Sequence, residues 1–355
     1  MIKFFGSLKD GFAMESKNKI PNPFRDLSKV SLFEEIEKWL FNKIASISFD
    51  ASVKSAFLLP IKKIKLFSSL YSSKIFELKK VYLQIKNAHP FYVGACEFLY
   101  EGGFGCLIND LEKILQSERK IRILARNYIK AIIKEKTKSN IFLKQFLGRA
   151  MYVIRKNSYT MHKLREAHKK LNELPDIEPN VFKVAVVGAP FVGKSSLVAN
   201  LTGKKLEIGK YPFTTKRINI GRISNEKFEI VVYDTPGILD RPLEKGSVYE
   251  KKAYLILKYL ADFVVFLIDP TESAGYSLVY QNRILSSIKK TMPTMPILVV
   301  ETHADLLQIS DNRFCISNVT GFGLDDLKQE LIKIAEQWYY EKFSHGPSKP
   351  QLGHL

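Results

Sequence analysis

The sequence predicts two domains of different fold class, an all-α helical bundle followed by an α/β domain with a mostly parallel sheet. In the first half, apolar residues recur three and four positions apart, as on one face of a helix. After residue 180, short apolar runs alternate with helical segments, which is typical of parallel α/β sheets. The length of 355 residues agrees with two domains, since a domain averages roughly 150 residues.

Four helical patterns follow an irregular lead-in that we assign to residues 1–30. The first begins at Ser31, whose spacing to Glu34 fits a capping box. The others cover residues 61–85, 107–136 and 142–171, and Pro90 and a glycine pair at 102–103 break the chain between helices. Long helices with short breaks predict a bundle over residues 31–174.

The run LNELPDIEPN at residues 171–180 marks the domain boundary, because it holds two prolines and ends the helical periodicity. Strands are predicted at residues 183–187, 228–233, 263–268 and 297–300 of an α/β domain spanning 175–343. The tail at residues 344–355 shows no pattern and is predicted to be flexible.

Composition excludes several classes of protein. No apolar run approaches the roughly 20 residues that span a bilayer, so no membrane span is expected. The first residues lack the apolar core of a secretory signal. The three cysteines form no C-x-x-C pair, which argues against a disulfide framework or a zinc site. A cytoplasmic location is expected.

Positive charge is concentrated in the predicted bundle. The chain holds 55 basic and 36 acidic residues, a net charge of +19. Residues 113–170 alone hold 17 basic residues against 3 acidic ones, whereas residues 181–355 have a net charge of only +4. Such a field attracts polyanions, with nucleic acid the first candidate and an anionic membrane surface the second.

A stripe of cations on the third helical pattern is the predicted nucleic-acid contact. Its members recur every four residues and so wind slowly around the helix; they are Arg122, Arg126, Lys130 and Lys134. Tyr128, Tyr152 and Tyr159 could stack on bases, although the core or its rim is the commoner place for such residues. Charge alone does not distinguish RNA from DNA.

A phosphate-binding loop is predicted at residues 188–195, GAPFVGKS, between a strand and a helix. Its glycines let backbone N–H groups face phosphates, Lys194 reaches the β- and γ-phosphates, and Ser195 ligates Mg²⁺. Asp234, at the end of the next predicted strand, is placed to organise the same ion. Thr214 and Thr215 lie between these motifs, where a threonine can close over the metal.

The base pocket is predicted after the last strand, where residues 302–305 read THAD. Asp305 is placed to accept from guanine N1 and N2, and adenine has no N1–H to donate. The usual Asn and Lys of N-K-x-D are replaced by Thr302 and His303. Ser317 and Asn318 stand where S-A-x is usual, an element that recognises the base through backbone N–H.

These motifs resemble the Obg-type GTPases and, among them, the nucleolar GTP-binding protein 1 family. The phosphate loop, YPFTTK, DTPGILDRPLEKGSVYE and FVVFLIDPTESAGYSLVYQ carry the resemblance in the second half. NPFRDL, HPFY and LNELPDIEPN carry it in the first half, so that it covers residues 20–340. The resemblance predicts a compact archaeal-type member, which is expected to lack the long C-terminal extension of eukaryotic members.

The resemblance implies a Ras-like P-loop GTPase domain preceded by a helical domain, with GTP and Mg²⁺ as cofactors. It also implies a role in assembling the large ribosomal subunit, whose rRNA and proteins would be partners, and no DNA is expected. Lys194 and Thr215 are the catalytic candidates, and Ser195, Thr215 and Asp234 are the candidate metal ligands. The candidate nucleotide-binding residues are Gly188, Ala189, Pro190, Phe191, Val192, Gly193, Lys194, Ser195, Ser196, Phe213, Thr214, Thr215, Asp234, Thr235, Pro236, Gly237, Ile238, Thr302, His303, Asp305, Ser317 and Asn318.

The chain departs from its family at the phosphate loop and the base pocket. Phe191 occupies the position where the family usually has the Asn that helps hold a monovalent ion. Ile238 stands where many GTPases place a water-orienting Gln, so slow intrinsic hydrolysis is expected. Three hypotheses stay open: a GTP hydrolase acting as a switch on rRNA, a nucleotide-responsive RNA-binding scaffold with weak or no hydrolysis, and a GTPase associated with anionic lipid.

Overall fold

The computed structural model divides the chain into two compact units. One comprises Asn22–Leu174, and the other comprises Pro175–Leu355 with the residues up to Pro21. The two predicted fold classes are confirmed, since the first unit is helical and the second holds a mixed sheet of mostly parallel strands. The structure describes residues 19–47, 57–203, 207–209, 218–225, 227–235, 248–306 and 314–344.

Helices make up the first unit. Over its described residues these are α1 (Phe33–Ala45), α2 (Leu58–Lys86), α3 (Pro90–Leu99), α4 (Gly103–Lys134), α5 (Ser139–Arg155) and α6 (Ser158–Leu171), with 3₁₀ turns at Arg25–Lys29 and Lys136–Lys138. Aromatic rings join α2, α4 and α5 in the core. Phe146 lies edge-on to Phe67 at 5.3 Å and to Tyr128 at 6.0 Å between ring centroids.

The structure changes two features of the predicted helices. α1 begins at Phe33 rather than Ser31, because the Leu32 N–H donates to Glu35 Oε2 at 2.9 Å and this contact closes the first turn. Pro90 separates two helices as predicted, but it also begins α3, a helix that was not predicted; the first position of a helix needs no N–H partner.

The pattern at residues 142–171 covers two helices rather than one. The break falls at Lys156 and Asn157, between α5 and α6. The Asn157 N–H donates to Ile154 O at 3.0 Å, a three-residue step that interrupts the α-helical ladder. The apolar periodicity continues through the break, and for that reason the sequence pattern did not reveal it.

Residues 22–30, which the sequence assigned to the lead-in, contribute buried side chains to the helical unit. Phe24 and Leu27 are fully buried. The buried Asn22 amide donates from Nδ2 to Leu171 O at 2.9 Å and to Leu174 O at 3.0 Å. Its Oδ1 accepts from the Phe24 N–H at 2.9 Å. Asn22 therefore ties the start of the unit to the carbonyls at the end of α6.

The second unit is built on a seven-stranded sheet with the order β2-β3-β4-β1-β5-β6-β7. Its strands are β1 (Phe182–Gly188), β2 (Glu207–Gly209), β3 (Ile218–Ser224), β4 (Glu229–Asp234), β5 (Phe263–Ile268), β6 (Ile297–Glu301) and β7 (Phe314–Cys315). The helices among its described residues are α7 (Lys194–Leu201), α8 (Val248–Tyr259), α9 (Leu278–Thr291) and α10 (Leu324–Ser344).

The five strands from β4 to β7 in the sheet order are parallel, and β2 and β3 add an antiparallel edge. The sequence did not predict β2, β3 or β7, because β2 and β7 are two or three residues long and β3 is interrupted by Gly221. β1 lies between β4 and β5, with Val184 opposite both Val232 and Phe263. The chain reverses its direction of travel across the sheet at β1, and such a switch point forms a crevice at the strands' carboxyl ends.

Over the described part of the chain, no helix combines the length and the hydropathy needed to cross a bilayer.

Candidate functional site

The predicted phosphate loop connects β1 to the N-terminus of α7, at the switch point of the sheet. Two glycines give it its shape. Gly193 has φ +92°, and a Cβ there would lie 2.7 Å from Asn318 Nδ2. A Cβ on Gly188 would lie 2.7 Å from Leu267 O of the neighbouring strand. Both positions therefore need glycine, and the backbone N–H groups of the loop are left accessible to an anion.

Lys194 places a buried cation inside this loop. Its side chain is 7% exposed, and Nζ donates to Ala189 O at 2.6 Å. Burial lowers the pKa of the Lys194 ammonium to about 8, although the charge of Asp234 acts in the opposite direction. A buried ammonium beside accessible backbone N–H groups fits a polyphosphate, whose charge would offset the cost of burial.

Two of the three predicted metal ligands lie at the same end of the sheet. Ser195 is exposed in the first turn of α7, and Asp234 ends β4 in register with Val186 of β1. Asn219 of β3, which the sequence reasoning missed, donates from Nδ2 to Asp234 Oδ2 at 3.0 Å and orients the carboxylate. A hydroxyl and a carboxylate are the oxygen ligands that Mg²⁺ prefers, so the donor set fits this ion.

Two predicted threonines hold loops onto the sheet. Thr235 Oγ1 donates to Val186 O at 2.7 Å, and Thr302 Oγ1 donates to Ile268 O at 3.3 Å. Both side chains are buried, so their hydroxyls support the loops at the ends of β4 and β6. The remaining predicted residues of these motifs, which lie outside the described residues, are Phe213, Thr214, Thr215, Pro236, Gly237 and Ile238.

The structure brings together the two predicted base-recognition segments, which follow β6 and β7. The Ala304 N–H donates to Ile316 O at 3.1 Å. Asp305 is exposed, and a hydrogen bond from Ser317 holds the pKa of its carboxyl below the ordinary value. An ionised carboxylate at this position is the acceptor that guanine N1–H and N2–H groups require.

Asn318 links the base-recognition segment to the phosphate loop. Its Nδ2 donates to Gly193 O at 3.2 Å. Asn200 of α7, which the sequence reasoning did not single out, donates in turn to Asn318 O at 3.1 Å. Asn318 was noted in the sequence only as a replacement for Ala, whereas its amide joins two parts of the predicted nucleotide site.

His303 contacts a buried acid that the sequence reasoning missed. Its Nδ1 lies 3.0 Å from Asp269 Oδ1, at the end of β5. Burial raises the pKa of Asp269, but hydrogen bonds from Thr271, Ala274 and Ser273 outweigh it and hold the pKa below the ordinary value. The signal in the sequence was an acid directly after an apolar strand. The contact orients the THAD segment from the side of β5.

The predicted cation stripe lies on α4 of the helical unit. Arg126, Lys130 and Lys134 are exposed and form no ion pair within the part of the chain that the structure describes. Arg122 differs, because its NH2 group is 3.1 Å from Glu118 Oε2. Of the three tyrosines considered, Tyr128 is 8% exposed and belongs to the core, whereas the other two are exposed.

Fold and site together define the class of this protein. A parallel sheet with a glycine-shaped loop after its first strand, a buried lysine in that loop and an acid ending the adjacent strand form a P-loop nucleotide-binding domain. Family models give the same class: residues 183–303 match a 50S ribosome-binding GTPase, and residues 24–178 match the NOG1 N-terminal helical domain. The helical unit therefore matches the N-terminal domain of the nucleolar GTP-binding protein 1 family, and the second unit matches a ribosome-binding GTPase domain.

Individual relatives agree with this assignment. Nucleolar GTP-binding protein 1 of Arabidopsis thaliana is 26% identical over 78% of this chain and 40% of its own length. The Saccharomyces cerevisiae protein of that name is 27% identical over 71% and 39%. An uncharacterized protein of Methanocaldococcus jannaschii is 38% identical over 53% of this chain and 52% of its own. The chain thus spans about half or less of the length of these relatives.

Solved structures also match. A candidate nucleolar GTP-binding protein 1 of Plasmodium falciparum is 23% identical, with 48% of this chain and 93% of that one covered and a TM-score of 0.39. Era in complex with a nucleotide analogue and a 16S ribosomal RNA fragment is 28% identical, with 43% and 56% covered and a TM-score of 0.36.

Proposed function

We propose that this protein binds GTP with Mg²⁺, hydrolyses it slowly and acts in the cytoplasm as a switch in large-ribosomal-subunit assembly, with the helical unit bound to rRNA. The single observation that carries nucleotide binding is Lys194, a buried cation in a loop whose glycines leave backbone N–H groups accessible. The positive charge of residues 113–170 supports RNA binding by the helical unit.

Each described residue has a definite task in this proposal. Lys194 neutralises charge on the β- and γ-phosphates, and the N-terminus of α7 adds a favourable dipole. Asp305 accepts from the guanine edge, and Asn318 fixes the base segment relative to the phosphate loop. Ser195 and Asp234 would hold Mg²⁺, which neutralises phosphate charge when bound.

Nucleotide titration of the purified chain tests the pocket. GTP is expected to bind more tightly than ATP, because adenine cannot donate to Asp305 from N1. Asp305→Asn should reduce that preference, and Lys194→Ala should abolish tight triphosphate binding with the fold retained. Lys289→Ala is the control, because it also removes one lysine of the same unit but at an exposed position; Lys183 is buried and therefore unsuitable. Equal affinity of the wild type for GTP and ATP would refute the guanine assignment.

A second candidate function, a nucleotide-responsive RNA-binding assembly scaffold with weak or no hydrolysis, is favoured by two observations. His303, which replaces the usual Lys, contacts Asp269 of the protein, and Ile238 offers no group that orients water. Hydrolysis measured with and without large-subunit particles separates the two candidates. The switch predicts a rate that rises with the particles, whereas the scaffold predicts the same low rate in both samples.

A further inference from the structure

Two tyrosines of the helical unit lie on its surface, whereas the others are buried. Tyr152 on α5 is 69% exposed and Tyr159 on α6 is 73% exposed. Neither side chain forms a hydrogen bond or a ring contact within the residues that the structure describes. The remaining tyrosines of the unit are at most 9% exposed, and they are Tyr71, Tyr82, Tyr92, Tyr100 and Tyr128. Two exposed rings without protein partners can accept a flat partner on either face.

The two rings stand on the outer faces of their helices. Tyr152 lies two residues before the buried Ile154, and Tyr159 lies two residues before the buried Met161. Two residues correspond to about 200° of helical rotation, so each ring is opposite to the buried side. Helical hydrogen bonds lie on both sides of the break. The Lys156 N–H donates to Tyr152 O at 3.0 Å, and the Met161 N–H donates to Asn157 O at 2.9 Å.

Positive charge predominates in the sequence around the rings. Residues 139–165 contain six Lys and Arg residues and no Asp or Glu. Lys156 lies between the two tyrosines in sequence, is exposed, and forms no ion pair within the described chain. Arg149, three residues before Tyr152, is exposed with its guanidinium 5.7 Å above the Tyr128 ring. Exposed cations therefore alternate with exposed rings along this part of the chain, and we name the four residues the tyrosine segment (Arg149, Tyr152, Lys156 and Tyr159).

Such a surface selects among polyanions. A duplex presents phosphates but keeps its bases stacked inside, and an acidic peptide presents carboxylates without flat rings to stack. A single strand offers both phosphates for Arg149 and Lys156 and accessible bases for the tyrosines. A single strand therefore contacts both the cations and the rings, whereas a duplex or an acidic peptide contacts only the cations.

We propose that the tyrosine segment binds unpaired RNA, with Tyr152 and Tyr159 stacking on bases and Arg149 and Lys156 contacting the backbone. The inference rests on the proposed RNA binding by the helical unit and narrows it to single-stranded segments. In this proposal the tyrosine segment recognises unpaired bases, whereas the cations on α4 contact phosphates of single-stranded and duplex RNA alike.

Binding of fluorescent oligonucleotides to the full chain tests this inference. The probes are a 12-nucleotide oligouridine, an abasic strand of the same length and charge, and a 12-base-pair RNA duplex. Tyr152→Ala with Tyr159→Ala should weaken oligouridine binding by roughly five- to a hundredfold for each ring that stacks. Abasic and duplex binding should change by less than twofold, and Tyr→Phe at both positions should keep the wild-type affinity.

Matched controls make the outcome specific. Tyr340→Ala removes a ring that is 70% exposed on α10 of the other unit, and it should change nothing. Equal affinity of the double Ala variant and the wild type for oligouridine would overturn the inference, as would an equal loss with the abasic strand. Polyglutamate that binds with the same dependence on the two rings would indicate an acidic protein partner instead. Failure of the wild type to bind any RNA at low salt would refute the proposed function itself.

Discussion

Replacing the unpaired cations of α4 should change how RNA binding depends on salt. Arg126, Lys130 and Lys134 have no ion-pair partner in the described structure, so each can neutralise one phosphate and release its counterion. Three contacts correspond to a log–log salt slope of about −2.1 on single strands or −2.7 on duplex. The triple Ala variant should therefore have a slope shallower by this amount. Between about 50 and 200 mM salt, the single-strand difference is roughly twentyfold in affinity.

Arg122 should behave differently from the other three. Its guanidinium already contacts Glu118, so Arg122→Ala alone should change the slope by well under one contact's worth. Glu118→Gln should release Arg122 and steepen the slope by about 0.7 on single strands. A sequence-only count would assign four equal contacts, and the two single variants distinguish the two expectations.

Fluorescence anisotropy across a salt series measures these slopes. Lys289→Ala with Lys290→Ala is the matched control, because both lysines are exposed on α9 of the unit that carries little net charge. The control pair should leave the slope unchanged, and all variants should keep the wild-type nucleotide affinity. An unchanged slope in the triple variant, or an equal change in the control pair, would refute the assignment of α4 as a phosphate-binding helix.

Three further predictions follow from buried contacts. Asn22→Ala should lower the unfolding free energy by about 2–4 kcal/mol, because it removes the buried hydrogen bonds that the amide makes to Leu171 O, to Leu174 O and from the Phe24 N–H; urea unfolding measures this, and a loss below about 0.5 kcal/mol would contradict it. Burial raises the pKa of Asp110, but hydrogen bonds from Lys113, Tyr100 and Lys163 hold it below 3.8. The stability that Asp110 contributes is therefore present above pH 3.8 and is lost as the pH falls through the folded-state pKa. Asp110→Asn should flatten the acid limb of a pH–stability profile. An acid limb that is unaltered in this variant would contradict the prediction. Asn318→Ala should weaken GTP binding by roughly three- to tenfold through the lost bond to Gly193 O, with little change in melting temperature; calorimetric titration checks this, and an unchanged affinity would show that the link is dispensable.

The sequence by itself determined the fold classes and most of the candidate nucleotide site. Helical and strand periodicities differ locally, so the change near residue 180 was visible without any tertiary information. The glycine-rich loop, Asp234 and Asp305 could be predicted because each lies at or shortly after the end of a predicted apolar strand, and parallel strands bring their carboxyl ends to one edge. Ser317 was predicted from its motif alone, since β7 was not predicted. The strands that escaped prediction were too short or too interrupted to show a period.

Only the tertiary structure decided which side chains are accessible and which already have partners. Arg122 and Arg126 look equivalent in the sequence, yet Glu118 pairs with only the first of them. Tyr128, Tyr152 and Tyr159 could not be distinguished by residue type, and the packing of α4 against α5 buried the first and left the others at the surface. Asn318, Asn200 and Asn219 gained their tasks from partners far away in sequence. Hydrogen bonds and burial depend on distances in three dimensions, and local sequence patterns do not encode them.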